Sequence, residues 1–214
     1  ILKKIIYTYH QIVKNFVSYF NRNNIKKDLL NKFLGLNIET INICNANCTF
    51  CAYQYQTRDT GTMDMDLFKK IIHEYVEIGG GDLGLGPTVG DPLADKYIIE
   101  RIKFARTFNR INNIGFFSNL IALGRFNIKD FVNSGLTNLM ISTSGFDEDM
   151  YLRVYRSKQY KKMFNNLINL SLYSPPLLLY INPLSLYGWE SINTNFLHPS
   201  EKRIARLISI PAPI

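Results

Sequence analysis

The chain has 214 residues, 46% of them hydrophobic and 20% charged, enough to bury a full core as one domain. No run reaches the roughly 18–20 uninterrupted apolar residues of a membrane-spanning helix, and the start, Ile1-Leu2-Lys3-Lys4-Ile5-Ile6, lacks the apolar stretch and cleavage site of a signal peptide. The net charge of +8 is spread along the chain instead of gathering in one basic block, so it makes no case for nucleic-acid binding, and a cytoplasmic location is expected.

Residues 1–35 are expected to form a helical extension, because Ile5, Ile6, Tyr9, Ile12, Val13, Phe16 and Phe20 recur at three- and four-residue steps among lysines. Such a basic amphipathic helix is read as packing across a domain end in preference to lying on a membrane or a partner. From residue 36 the pattern becomes strand-then-helix, and residues 36–43 alternate like a strand that runs into a cysteine cluster. Leu67, Phe68, Ile71, Ile72, Tyr75 and Val76 form one stripe of a helix over 66–78. Asp64 and Asp66 are placed to cap its start and Gly79-Gly80-Gly81 to end it. That triplet follows a helix and precedes a strand, the reverse of a phosphate cradle.

A strand over 82–86 leads to Pro87-Thr88-Val89-Gly90-Asp91-Pro92, followed by a helix over about 95–108. Next come a strand at 113–117 ending at Ser118-Asn119, a helix near 126–134, and a strand at 138–141 ending at Ser142-Thr143-Ser144-Gly145. A long helix over 147–172 and a fifth strand at 177–181 complete the series. Strands alternating with helices predict an α/β fold, a parallel sheet closed or partly closed into a (β/α) barrel. Four polar loops then fall at the C-terminal strand ends, where such barrels carry their chemistry.

All three cysteines stand within eight residues, Cys44-Asn45-Ala46-Asn47-Cys48-Thr49-Phe50-Cys51, spaced C-x3-C-x2-C. Thiolate sulfur is a soft ligand suited to iron–sulfur clusters, zinc or copper(I). The count discriminates among them. A cubane of four irons held by three thiolates keeps one iron open for a ligand the protein does not supply, whereas structural zinc takes four closed ligands. The competing readings are inert buried thiols and a Cys3His zinc site completed by His10, His73 or His198, none of which stands at a recognised finger spacing. An odd count in a chain of this length argues against a disulfide framework.

This loop, with an aromatic residue just before its last cysteine, resembles the cluster motif of the radical S-adenosylmethionine (radical SAM) enzymes, and the likeness covers about residues 36–182. The resemblance implies a 4Fe–4S cluster on Cys44, Cys48 and Cys51, with S-adenosyl-L-methionine (SAM) chelating the open iron through its methionine end. Phe50 matches the aromatic that packs near the adenine, and Tyr53 lies where ring and backbone would line the same pocket. Gly90-Asp91-Pro92 resembles the Gly-Gly-Glu-Pro loop that binds the methionine amino group, with Val89 in place of the first Gly and Asp91 in place of the Glu. Ser118-Asn119 resembles the Thr-Asn-Gly that closes the third strand. Ser142-Thr143-Ser144-Gly145 resembles the Ser-x-Asp-Gly after the fourth, which puts Ser142 on SAM. One arginine of Tyr151-Leu152-Arg153-Val154-Tyr155-Arg156 matches the family position for the SAM carboxylate. Arg153 is preferred and Arg156 is the other candidate, the competing reading being a solvated helix face. The order of elements, including Met63-Asp64-Met65-Asp66-Leu67-Phe68, is most similar to the branch whose members often carry a C-terminal SPASM domain, although the many further cysteines of that domain are absent.

Six of the eight prolines and the single Trp189 fall after Ser174, and no sixth strand is recognisable beyond about residue 183, so 183–214 reads as an atypical or truncated tail. The expected function is reductive cleavage of SAM to a 5′-deoxyadenosyl radical that abstracts hydrogen from a substrate, fed by an external electron donor of ferredoxin or flavodoxin type. Its rivals are a non-catalytic iron–sulfur or SAM-binding remnant and a zinc-stabilised binding protein. Tyr55, Arg58 and Asp59 read as exposed loop, and no catalytic role is expected of the histidines.

Overall fold

The computed structural model describes residues 35–143, 147–173 and 178–183. The expected N-terminal helix, the tail beyond residue 183 and the Ser144-Gly145 pair lie outside the described residues. Strands β1 (Leu36–Asn37), β2 (Gly81–Gly84), β3 (Ile111–Ser118), β4 (Asn138–Thr143) and β5 (Leu178–Pro183) form one sheet in the order β1-β2-β3-β4-β5. Every neighbouring pair is parallel. Parallel neighbours need a crossover, and helices supply them: α1 (Met65–Glu77), α2 (Ile98–Arg106), α3 (Ile128–Val132), then α4 (Glu148–Tyr155) with α5 (Tyr160–Leu172). Spatial order equals chain order, so right-handed crossovers return every helix on one side, as in a barrel and not a doubly wound sheet.

Alternation along the strands sets the two faces of the sheet. Leu83, Ile114, Phe116, Leu139 and Ile141 are buried in one core with Phe68 and Ile72 of α1, Ile98 and Ile102 of α2, and Met163, Leu167 and Leu170 of α5. The opposite face, toward the barrel interior, carries the exposed Phe117 with the half-buried Met140 and Ser142.

The α1 signals act as the sequence implies. Asp64 is the N-cap, its carboxylate accepting from the Asp66 and Leu67 N–H groups at 2.8 and 3.3 Å. The triglycine then hands the chain to β2: all three glycines have positive φ, and a Cβ at Gly80 would stand 2.3 Å from the Arg110 carbonyl oxygen.

Two elements differ from expectation. Only Leu36 and Asn37 of the 36–43 run join the sheet. Beyond Ile38, whose N–H reaches the Gly84 carbonyl at 2.8 Å, β2 has turned away, and residues 40–42 pair with the returning chain instead. Met63 N–H bonds the Thr40 carbonyl (2.8 Å), Asn42 N–H that of Gly61 (3.2 Å), and Ile41 makes an antiparallel bridge to Thr62. The expected long helix over 147–172 is two, broken at Arg156, which adopts φ 49°, ψ 37°. The carbonyls of Val154 and Tyr155 accept from Thr49 and Asn47 N–H (2.9 and 3.2 Å), so the end of α4 is spent holding the cysteine loop.

A buried ion pair ties the loops that follow β1 and β2 together. Arg101 of α2 donates Nε–H to Asp95 Oδ2 at 2.8 Å, with both side chains wholly buried. Arg101 also donates to the Met63 carbonyl and lies over the Phe68 ring, 5.0 Å from its centroid, while Asp95 Oδ1 accepts from Tyr97 N–H at 2.9 Å. Both charges are thereby paired and hydrogen-bonded, the condition for keeping them in an apolar interior.

Candidate iron–sulfur and SAM site

The cysteine loop sits where the 36–43 segment leaves the sheet. Cys48 is buried and Cys44 and Cys51 half-buried. The Cys44 sulfur accepts from Asn119 Nδ2–H at 3.8 Å, and the Cys51 sulfur accepts the Tyr53 N–H at 3.4 Å, where the chain enters a short 3-10 turn (Ala52–Tyr55). Burial pushes the Cys44 thiol up to about 11, with smaller contributions from charge on Asp91 and Cys51. Burial pushes Cys48 up to about 12, with charge on Cys44 and Cys51 adding to it. Negative charge is therefore costly on these sulfurs unless a cationic centre compensates it.

The donor set fits an iron–sulfur cluster: three soft sulfurs, two of them already offered N–H donors, by Asn119 and Tyr53, of the kind that support cluster thiolates. Among the described residues no three Cys, His, Asp or Glu side chains gather to hold a single metal ion. A cubane asks for less convergence, because its thiolates bind separate irons, whereas thiolates on one tetrahedral zinc come within roughly 4 Å of one another. His73, one of the histidines considered for zinc, packs edge-on against Phe104 and Phe108 with ring centroids 5.8 and 5.1 Å away. His10 and His198 lie outside the described residues.

The second-strand loop and the end of β3 form one brace behind the cysteines. Asp91 is only 2% exposed, and its carboxylate accepts from three donors: Ser118 Oγ–H, within reach of both oxygens (2.9 and 3.0 Å), Asn119 N–H (2.8 Å) and Leu93 N–H (2.9 Å). Burial raises its pKa, and these hydrogen bonds pull it back down. Its N–H bonds the Ile43 carbonyl at 2.9 Å, one residue before Cys44. Asn119, so fixed, donates to Asn45 Oδ1 at 2.8 Å. Gly90 has φ +129°, and a Cβ there would stand 3.1–3.2 Å from backbone atoms of Ile41 and Asn42, so this loop presses on the strand entering the cysteines. Leu120, where the resemblance puts a glycine, holds φ 61° with its side chain fully buried.

An open cleft of about 470 Å³ borders the loop, lined by Cys44, Asn45, Ala46, Asn47, Tyr53, Gln54 and Arg156. The structure thus brings Tyr53 to the cysteines. Of the two arginines it brings Arg156, which donates to Gln54 Oε1 at 3.4 Å, whereas Arg153 is exposed on α4 and does not line the cleft. Phe50 is 54% exposed, edge-on to Tyr155 with centroids 5.8 Å apart. Ser142 lies near the C-terminal end of β4, opposite Asn182 of β5. Arg58 belongs to the loop scaffold: it pairs with Glu39 at 2.7 Å, holding that carboxyl below its usual range, and Glu39 also accepts the Thr88 N–H at 2.9 Å. Two residues escaped the sequence reading, Tyr151 and Tyr155, which stack beneath the loop; their i, i+4 spacing on a helix was the available signal.

The Radical SAM superfamily model matches residues 38–190, and the chain belongs to that superfamily. Superfamily members generally use a 4Fe–4S cluster and SAM. Among curated proteins the chain is similar to the GTP 3′,8-cyclase of Thermodesulfovibrio yellowstonii, 31% identical over 134 residues (61% of this chain, 41% of that protein). It is also similar to the GTP 3′,8-cyclase of Vibrio parahaemolyticus, 20% identical over 140 residues (64% and 41%). The chain thus spans about two-fifths of the length of these relatives. Among solved structures it superposes on Streptococcus suis SuiB bound to the precursor peptide SuiA with TM-score 0.63 and 12% identity, over 87% of this chain and 40% of that one. Methylornithine synthase (PylB) gives 0.52 and 15%, over 71% and 44%. These structural likenesses carry the fold. The matches fix the superfamily and no branch within it. No described helix is long and apolar enough to cross a membrane.

Proposed function

We propose that the chain binds a 4Fe–4S cluster through Cys44, Cys48 and Cys51, binds SAM at the iron these thiolates leave open, and cleaves SAM reductively to start radical chemistry on a substrate. The observation that carries this reading is the meeting, in a radical SAM superfamily chain, of a three-thiol loop with a cleft that the Arg156 guanidinium lines. Held by Cys44, Cys48 and Cys51, a 4Fe–4S cluster would supply an electron, drawn from an external donor, for the reductive cleavage of SAM to methionine and a 5′-deoxyadenosyl radical that would take hydrogen from the substrate.

The chain's own residues bind and orient. Arg156, on the cleft beside Cys44, takes the SAM carboxylate, for which a planar guanidinium fork is suited. Arg153 stays in solvent. Tyr53 and Phe50 flank the adenine, and Ser142 contacts SAM from the end of β4. Gly90 keeps its loop against the strand entering Cys44, where its backbone meets the amino end of SAM. Asp91 acts through its neighbours: with three donors on its carboxylate it fixes Ser118 and Asn119 against the cysteine loop. Holding SAM rigidly matters because a misplaced radical is quenched before it reaches its target. The curated relatives are GTP 3′,8-cyclases sharing 41% of their length with this chain, so radical generation is what carries over, and GTP as substrate does not.

SAM binding to the anaerobically reconstituted protein tests this assignment. A charge-assisted hydrogen bond contributes about 1.5–3 kcal/mol, so Arg156→Ala should weaken SAM binding by roughly 10- to 100-fold while Arg153→Ala leaves it within about twofold. Loss confined to Arg153→Ala would reverse the assignment. Iron incorporation without SAM binding in the unaltered protein would favour the remnant reading, and zinc without iron the binding-protein reading.

A further inference from the structure

Tyr151 and Tyr155 of α4 lie parallel, ring centroids 4.7 Å apart and planes within 3°. Both are essentially inaccessible to solvent, and neither hydroxyl finds a hydrogen-bond partner among the described residues. A buried hydroxyl without a partner is destabilising relative to a bonded one, and phenylalanine would fill the same space without that penalty. Two such groups side by side call for an acceptor that arrives later.

The surroundings say which acceptor. The cysteine loop is fastened to the end of this helix by Asn47 N–H to the Tyr155 carbonyl and Thr49 N–H to that of Val154, the two bonds that bracket Cys48. Of the three sulfurs, Cys44 accepts from Asn119 Nδ2–H and Cys51 from Tyr53 N–H. No such donor reaches Cys48 among the described residues. The sulfur lacking outside donors thus neighbours the donors lacking an acceptor. Cys48 lies in the same buried cluster as both tyrosines, and Phe50, two residues further on, stands edge-on to the Tyr155 ring with centroids 5.8 Å apart. A thiolate is a much better acceptor than a thiol, so the bond belongs to the loaded state.

Building on the cluster reading above, we propose that Tyr155, with Tyr151 stacked against it, is the buried O–H donor to the Cys48 corner of the cluster and sets its reduction potential. Hydrogen bonds to cluster sulfur favour the more negative, reduced state and raise the potential. The tyrosines are positioning and tuning residues and touch no substrate.

The test uses reconstituted protein and its Tyr155→Phe, Tyr151→Phe and double variants, each first assayed for iron, sulfide and visible spectrum. Iron-free unaltered protein would overturn the cluster reading and this inference with it. With iron loaded in all, the double variant should favour the oxidised cluster by about tenfold at a fixed potential, a drop of ~59 mV for a one-electron couple. Without iron, the same variants should be as stable as the parent or more so. Tyr75→Phe serves as the contrast: its hydroxyl donates to the Asp82 carbonyl at 2.9 Å, away from the cysteines, so it should lose stability without iron and leave the potential unmoved. A loaded double variant with the parent's potential, or one that loses iron-free stability as Tyr75→Phe does, would overturn the inference while leaving the cluster reading intact.

Discussion

Replacing Cys48 by alanine is expected to abolish the cluster and every activity that depends on it, with little effect on the iron-free fold. Cys48 is the most enclosed of the three thiols, at the centre of a loop fixed by bonds from Asn47 and Thr49 to the end of α4. Those bonds are made by backbone atoms and survive the substitution. Two thiolates would remain, too few for a cubane that leaves only one iron open, so reconstituted Cys48→Ala should hold a small fraction of the parent's iron and lack its visible absorption. Circular dichroism without iron should match the parent. Parental iron content in Cys48→Ala would remove Cys48 from the ligand set. A collapsed fold would mean that the thiol is part of the core first and a ligand second.

The second large effect lies away from the cysteines. Asp95→Ala should destabilise the protein by about 3–5 kcal/mol, the usual cost of leaving one member of a buried ion pair uncompensated, about a fifth or more of the roughly 5–15 kcal/mol that holds a domain together. The side chains of Asp95 and Arg101 have no access to solvent, so Arg101 cannot recruit water in place of its partner. Its other contacts are the Met63 carbonyl, the Met65 sulfur and the faces of Phe68 and Tyr97, none of which carries negative charge. The damage should reach the site, since Met63 bonds Thr40 on the segment that leads to Cys44. Removing both charges together, as Asp95→Asn with Arg101→Met, should cost less than Asp95→Ala alone. Urea unfolding under anaerobic conditions measures both; a loss below about 1 kcal/mol for Asp95→Ala would show that water enters this pocket.

What was legible in the sequence was mostly local. Asp64, the apolar stripe from Phe68 to Tyr75 and the three glycines specify α1 and its ends within a residue or two, because capping and periodicity act over one or two turns. The parallel sheet followed from alternating strands and helices, and the three cysteines from their spacing. The missed features depend on residues distant in sequence. Nothing near Arg156 announces a helix break; the carbonyls that would continue the helix are claimed by Asn47 and Thr49, more than a hundred residues earlier. The same break separates two arginines three residues apart, turning Arg156 to the cleft and leaving Arg153 outside. Asp91 looked like an open ligand because its loop resembles one. Its three internal donors are Leu93, two residues on, and Ser118 and Asn119, which only the fold brings to it. The tyrosine pair went unread because an orphaned hydroxyl becomes visible only once burial is known.

The most direct test of the central claim is the formation of 5′-deoxyadenosine. Anaerobically reconstituted protein, reduced with dithionite and given SAM, should release 5′-deoxyadenosine and methionine in equal amounts, and Cys48→Ala should release neither. A brown, iron-loaded protein that binds SAM and leaves it intact under reduction would contradict the claim.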